Sequence, residues 1–236
     1  MFPHLSSRQE PPAGGTRSDD QTMHVLSTAA VLRPAIFVDR DGVINENRVD
    51  HVTTWDDFVP IPGALAGLRA LSSLGLPIFV VTNQAIVGRG VITARALDAL
   101  HGRMCALVAG HGGRITGVYV CPHRPEDHCG CRKPQPGLFL QAVREHNLAL
   151  DQSYYVGDAL TDVAAGQAVG CTTVLVCTGR GLTQVVHQQA QPYTAYYVAR
   201  NLKHAAQFIA HDRARRTGHG HLLSTIRMAL DNVRLV

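Results

Sequence analysis

The chain has 236 residues, 45% of them hydrophobic and 17% charged, with 22 basic against 18 acidic side chains and a formal net charge of +4. This length suits one or two domains, with one large α/β domain fitting equally well, and the apolar content excludes a wholly disordered chain. No apolar run approaches the roughly 20 residues of a membrane helix, and the opening stretch, with Pro3, Arg8, Glu10, Pro11 and Pro12, lacks the apolar centre of a secretory leader, so the chain reads as a cytoplasmic protein with no membrane partner.

In chain order, residues 1–33 are rich in Pro, Ser, Gln and Gly without a period and read as a flexible extension. A domain over residues 34–200 follows. Its punctuation is a series of short, nearly all-apolar runs: Ala35–Val38, Pro77–Val81, Gly117–Val120, Tyr154–Val156 and Thr172–Val176. Such runs suit strands buried on both faces, as in a parallel sheet. Between them lie helical patterns. Leu65, Leu68, Leu71 and Leu74 precede Gly75 as a stop, and Leu97, Leu100, Met104 and Leu107 follow Thr93 as an N-cap. Further helices are expected over Leu138–His146 and Asp162–Val169. Alternation of strand and helix predicts a doubly wound, mostly parallel α/β sheet, whose ligand crevice lies beyond the carboxyl ends of the strands. Residues 200–236, with seven basic and two acidic side chains, read as a separate basic segment from residue 201 onward, helical around Leu222–Met228.

The strand ends carry the chemistry. The first runs into Asp39-Arg40-Asp41-Gly42, two carboxylates that can face one crevice beside a glycine that permits a sharp turn. The second ends in Thr82-Asn83-Gln84, a hydroxyl and two amides suited to phosphate oxygens. The fourth ends in Gly157-Asp158, with Asp162 four residues on, placed to orient Asp158 or to support the same ion through water. Asp39, Asp41 and Asp158 together make a hard oxygen site for Mg²⁺, although Asp158 also reads as the N-cap of the next helix. After the third strand, Cys121, His123, Cys129 and Cys131 fall within eleven residues, a Cys₃His set that can close a structural Zn²⁺ site, with His128 as an exposed spare; the alternative is a loop of reduced thiols. Cys105, Cys171 and Cys177 read as core. The cluster leads into Arg132-Lys133, cations of the kind a phosphoryl group needs opposite Mg²⁺. The chain has 20 Arg but only two Lys, Lys133 and Lys203, which suggests that a compact ammonium is required at 133.

Taken together, Val38-Asp39-Arg40-Asp41-Gly42-Val43-Ile44-Asn45, Thr82-Asn83-Gln84 with Arg89-Gly90, Cys121-Pro122-His123 through Cys131-Arg132-Lys133-Pro134 with Pro136-Gly137, and Val156-Gly157-Asp158 with Asp162 resemble the haloacid-dehalogenase-type phosphatases. The closer likeness is to their zinc-loop subgroup, which holds the D-glycero-D-manno-heptose 1,7-bisphosphate 7-phosphatases and the histidinol-phosphate phosphatases, and it covers roughly residues 35–181. The resemblance implies a Rossmann-like fold with a minimal cap and an Asp39 nucleophile that forms an aspartyl-phosphate. It implies Asp41 as acid and then base, and Mg²⁺ held by Asp39, the Asp41 carbonyl and Asp158. Thr82 and Lys133 would hold the transferring phosphoryl, Arg132 would recognise substrate, Asn83 and Gln84 would line the pocket, and the segment from Asn47 through Asp50 to Pro60 would form a selecting wall. A small phosphorylated sugar, heptose 1,7-bisphosphate first, is the expected partner of a monomer or small homo-oligomer.

Three positions depart from the pattern: Ala85-Ile86-Val87-Gly88 replaces Ser-Gly-Ile-Ala, Ala159 stands where a Lys often follows the fourth-motif Asp, and Asn47-Arg48-Val49-Asp50 replaces Asp-His-Gly-Tyr. Second-phosphate contacts therefore do not transfer directly, and histidinol phosphate stays open as a substrate. A non-enzymatic, receiver-like phosphoryl-binding module would share the sheet, the acidic pocket, the Thr and the Lys, but has no use for the Cys₃His loop or for Asp41 as an acid. Nucleic acid is not an expected partner, because no aromatic platform flanks the motifs.

Overall fold

The computed structural model describes residues 32–187, 196–218 and 233–235; the expected extension up to residue 31 and the helix around Leu222–Met228 lie outside the described residues. Six parallel strands, β1 (Ile36–Val38), β2 (Ile78–Asn83), β3 (Gly117–Cys121), β4 (Tyr154–Gly157), β5 (Thr172–Val176) and β6 (Tyr197–Ala199), form one sheet with β7 (Val233–Leu235) added antiparallel. The order is β3-β2-β1-β4-β5-β6-β7, so the chain leaves β1 on one side and returns on the other at β4. The crevice between the ends of β1 and β4 is the switch point at which doubly wound sheets bind ligands.

Successive strand residues point to opposite faces, and both faces are covered. Ile36, Val38, Ile78, Val80, Tyr154, Val156, Val174 and Val176 pack with α1 (Ala64–Ser72), α3 (Ala94–Gly110) and α7 (Leu202–Arg216). Phe37, Phe79, Val81, Tyr119 and Tyr155 meet Leu138, Phe139 and Ala142 of α4 (Gly137–His146) and Ala165 of α5 (Leu160–Ala168). Two short helices, α2 (Ala85–Gly88) and α6 (Gly181–His187), follow the ends of β2 and β5. The anticipated punctuation is present: the Thr93 hydroxyl accepts from the Ala96 N–H at 3.1 Å, and Gly75 takes φ +71° after α1. The helix expected from Asp162 begins two residues earlier, and its N-cap is Ala159 rather than Asp158.

Two boundaries move. Arg33 already belongs to the body, because its backbone bonds to Asn147 and Ala149. At the other end the domain does not close at residue 200. Asn201 caps α7, and Leu202, Ala205, Ala206, Phe208 and Ile209 are buried against α1 and the sheet. The basic residues expected to form a tail are engaged as well: Arg213 donates to the Leu74 carbonyl at 2.7 Å, and Arg216 pairs with Asp212 at 2.6 Å and donates to Thr172. Among the described residues no helix is long and apolar enough to cross a membrane.

Candidate active site

Asp39 leaves the end of β1 with its N–H bonded to the Val156 carbonyl of β4 at 2.9 Å, which ties the two strand ends together. The following turn depends on Gly42 at φ +82°, where a side chain would strike the Asp158 carboxylate. A cavity of about 390 Å³ opens here, and Asp39, Asp41, Thr82, Arg132 and Lys133 all line it. The strand-end residues singled out from the sequence are thus brought to one place.

Lys133 is the cation at its floor. Its ammonium lies 2.9 Å from Asp39 Oδ1, 2.8 Å from Asp162 Oδ1, 2.9 Å from the Val81 carbonyl and 2.8 Å from the Tyr155 hydroxyl. Burial alone would lower its pKa, but Asp162 and Asp39 outweigh that and raise it. The backbone of Lys133 is fixed too, since its N–H donates to Asn83 Oδ1 at 3.0 Å and its carbonyl accepts from Asn83 Nδ2 at 3.2 Å. Asn83, expected on the substrate wall, therefore also fastens the loop that carries the lysine.

Asp39, Asp158 and Asp162 each offer a carboxylate oxygen within 4.8 Å of the others, and all three are buried. Burial pushes the Asp39 carboxyl up to about 7, against the pull of Lys133 and with Asp162, Asp158 and Asp41 pushing the same way. Asp158 is raised by burial, although Arg180 opposes it. These three carboxylates outnumber the two cations paired with them, Lys133 and Arg180, in an all-oxygen donor set, which fits Mg²⁺. Asp162 is already saturated. Its oxygens take Lys133, the Tyr155 hydroxyl at 2.9 Å, and the N–H groups of Asp158 and Ala159. These contacts tie Lys133, Tyr155 and the start of α5 to one carboxylate.

Asp41 is held by donors on every side. Arg40 reaches both of its oxygens, with Nη2 at 2.9 Å from each and Nε at 3.1 Å from Oδ1; Asn45 Nδ2 and Gln84 Nε2 add bonds of 2.8 and 2.7 Å. Burial works against the charged form, yet Arg40 and these bonds outweigh it and lower the pKa. Gln84 also bonds Thr82 and Arg40, so its amide orients Asp41 and Thr82 as well as lining the cavity.

The remaining expected contacts divide. Asn47 lines the cavity and donates to Asp158 at 2.9 Å. Asp50 does not line it: its side chain is 70% exposed and pairs with Arg48, because the short link between them favours a local fork over a reach inward. Arg40, Tyr155 and Arg180 belong to the site but did not stand out in the sequence. Arg40 sits inside the Asp-x-Asp motif, which was the one available signal. Tyr155 lies in an apolar strand run, and Arg180, which reaches Asp158 from beyond β5, carries no spacing cue.

Beyond β3, the Cys121, His123, Cys129 and Cys131 ligand atoms lie within 4.8 Å of one another, with neighbouring separations of 3.2 to 3.7 Å. A tetrahedral zinc with bonds of about 2.0 to 2.3 Å has ligand edges of roughly 3.5 Å or a little more, so the cluster fits. The Cys121 carbonyl accepts from the Gln84 N–H and the Pro122 carbonyl from the Gly88 N–H, which joins this loop to the end of β2.

Comparison with known proteins agrees with this geometry. The HAD-hydrolase-like family model matches residues 130–205. The D-glycero-β-D-manno-heptose-1,7-bisphosphate 7-phosphatase of Pseudomonas aeruginosa is 40% identical over 150 residues, 64% of this chain and 84% of that protein. Its Escherichia coli counterpart is 41% identical over 161 residues, 64% and 83%. Among solved structures, the D,D-heptose 1,7-bisphosphate phosphatase of Bordetella bronchiseptica complexed with magnesium and phosphate superposes with a TM-score of 0.71 at 31% identity, covering 76% of this chain and 99% of that one. The chain belongs to the HAD-like hydrolases, in the family of the D-glycero-β-D-manno-heptose-1,7-bisphosphate 7-phosphatases.

Proposed function

We propose that this protein is a phosphatase that removes the 7-phosphate of D-glycero-D-manno-heptose 1,7-bisphosphate through an aspartyl-phosphate on Asp39. The observation that carries the reading is the pair Asp39 and Asp41 facing one cavity, with Thr82 and Lys133 beside them. Asp39, Asp158 and the Asp41 carbonyl would hold Mg²⁺, which when bound neutralises charge on the phosphoryl oxygens. Asp39 attacks phosphorus, and Lys133 and Thr82 position the phosphoryl group. Asp41 gives a proton to the leaving sugar oxygen and later takes one from water. Arg48, Arg89, Arg132 and Arg180 on the cavity wall suit a substrate with a second phosphate and supply cations that Ala159 does not. Zinc would close the Cys₃His site and pin the loop that delivers Arg132 and Lys133; a cytoplasmic setting keeps such thiols reduced.

The test is Mg²⁺-dependent phosphate release from the heptose bisphosphate and from histidinol phosphate in parallel, with Asp39→Asn as the blank. A preference of about a hundredfold in kcat/KM for the heptose, worth about 2.7 kcal/mol, supports the reading. Equal or reversed preference overturns the substrate, and release that survives in the blank overturns the nucleophile.

A further inference from the structure

Arg40 is 1% exposed, and every nitrogen of its guanidinium is engaged. Nε and Nη2 hold Asp41, Nη2 also lies 3.1 Å from Gln84 Oε1, and Nη1 lies 3.0 Å from His101 Nε2. An arginine only donates, so His101 Nε2 must accept, which fixes the ring as neutral with its proton on Nδ1. Burial and the Arg40 charge both disfavour the imidazolium and lower the His101 pKa to about 4. Arg40 is thus anchored from behind by a neutral histidine of α3 and from the side by Gln84, and it offers its fork to one carboxylate. With Asn45 and Gln84, that fork fixes the orientation of the Asp41 carboxylate, which still lines the cavity.

Five donor contacts from three side chains fix where the two oxygens of Asp41 point, so the carboxylate meets an attacking water in one orientation. We infer that Arg40, anchored by His101, is a positioning residue that holds Asp41 as the base for breakdown of the aspartyl-phosphate. In that step water attacks phosphorus, the bond from phosphorus to the Asp39 oxygen breaks, the water proton passes to Asp41, and Asp39 leaves as a carboxylate. The inference rests on the phosphatase reading above.

p-Nitrophenyl phosphate separates the two halves, because nitrophenolate leaves without a proton and formation of the phosphoenzyme then needs no acid. Stopped-flow release of nitrophenolate in Mg²⁺ is measured for wild type, Arg40→Gln, His101→Leu and His101→Gln. The expected result for Arg40→Gln is a burst of one nitrophenolate per site followed by a steady rate 10² or more below wild type, the size of general-base assistance. His101→Leu shows the same pattern more weakly, and His101→Gln, which keeps an acceptor, recovers most of the loss. Burst amplitude counts competent sites, so a folding failure shows as lost amplitude in Arg40→Gln, and the two His101 variants then decide. Loss of burst rate and steady rate in equal proportion, an unchanged steady rate, or His101→Gln no better than His101→Leu overturns the inference. Failure of wild type to release nitrophenolate or phosphate from any monoester overturns the phosphatase reading instead.

Discussion

Replacing Lys133 by Arg keeps the charge and changes only its shape. The ammonium is 2% exposed and has four oxygens at 2.8 to 2.9 Å, from Asp39, Asp162, Val81 and Tyr155. Four acceptors around a point suit a compact group with rotatable protons, whereas a planar fork needs acceptors spread along two edges. The larger head must displace Tyr155 or the Asp39 carboxylate. Overpacking of this kind costs about 1 to 3 kcal/mol of stability. A displaced Asp39 costs more in turnover, because shifts near 1 Å in reacting groups lower rates by about a hundredfold. Lys133→Arg should therefore lose 1 to 3 kcal/mol in urea unfolding and at least a hundredfold in kcat for Mg²⁺-dependent phosphate release. Lys133→Met should lose about 3 to 5 kcal/mol, since it leaves two buried carboxylates without their cation. Full turnover by Lys133→Arg would refute the reasoning, because shape would then be irrelevant at this point.

Three other outcomes are expected. Ile209→Ala on α7, whose side chain is fully buried against α1 and the sheet, should lower unfolding free energy by about 2 to 5 kcal/mol; a loss under 0.5 kcal/mol would show that the helix is dispensable. His101 is neutral in the fold with a pKa near 4 against an ordinary 6.5, so the unfolded chain binds the extra proton first as pH falls. Stability should drop by about 3 kcal/mol between pH 6.5 and 4 through this group, and the difference between wild type and His101→Gln should shrink across that window; a constant difference would contradict it. A zinc chelator should lower Tm and activity together, with zinc and not magnesium restoring both; purified protein that neither contains nor takes up zinc would contradict the closed cluster.

Where side-chain chemistry and chain position coincide, the fold and the site can be read from residues alone. The runs at Ile36, Ile78, Tyr154 and Thr172 are apolar at consecutive positions because both faces of a parallel sheet are covered. The Cys₃His cluster and the Asp-x-Asp turn are local, so their spacing survives folding unchanged. What was missed depends on packing between distant segments. Arg40 looks like a polar filler between two acids until α3 brings His101 behind it. Tyr155 reads as core, and it is core except for a hydroxyl aimed between Lys133 and Asp162. In α7 the charges at Arg213, Arg215 and Arg216 overshadow a buried face built partly from small residues, Ala205 and Ala206, which carry a weak apolar signal. β6 is three residues long, too short for a period to show.

The central claim is that Asp39 receives the phosphoryl group, and trapping tests it most directly. The protein is mixed with D-glycero-D-manno-heptose 1,7-bisphosphate and Mg²⁺, quenched in acid within milliseconds, digested and weighed. The account predicts a peptide containing Asp39 heavier by one phosphoryl group, absent without Mg²⁺ and absent in Asp39→Asn. Full turnover in Asp39→Asn, or the added mass on a peptide that lacks Asp39, would contradict it.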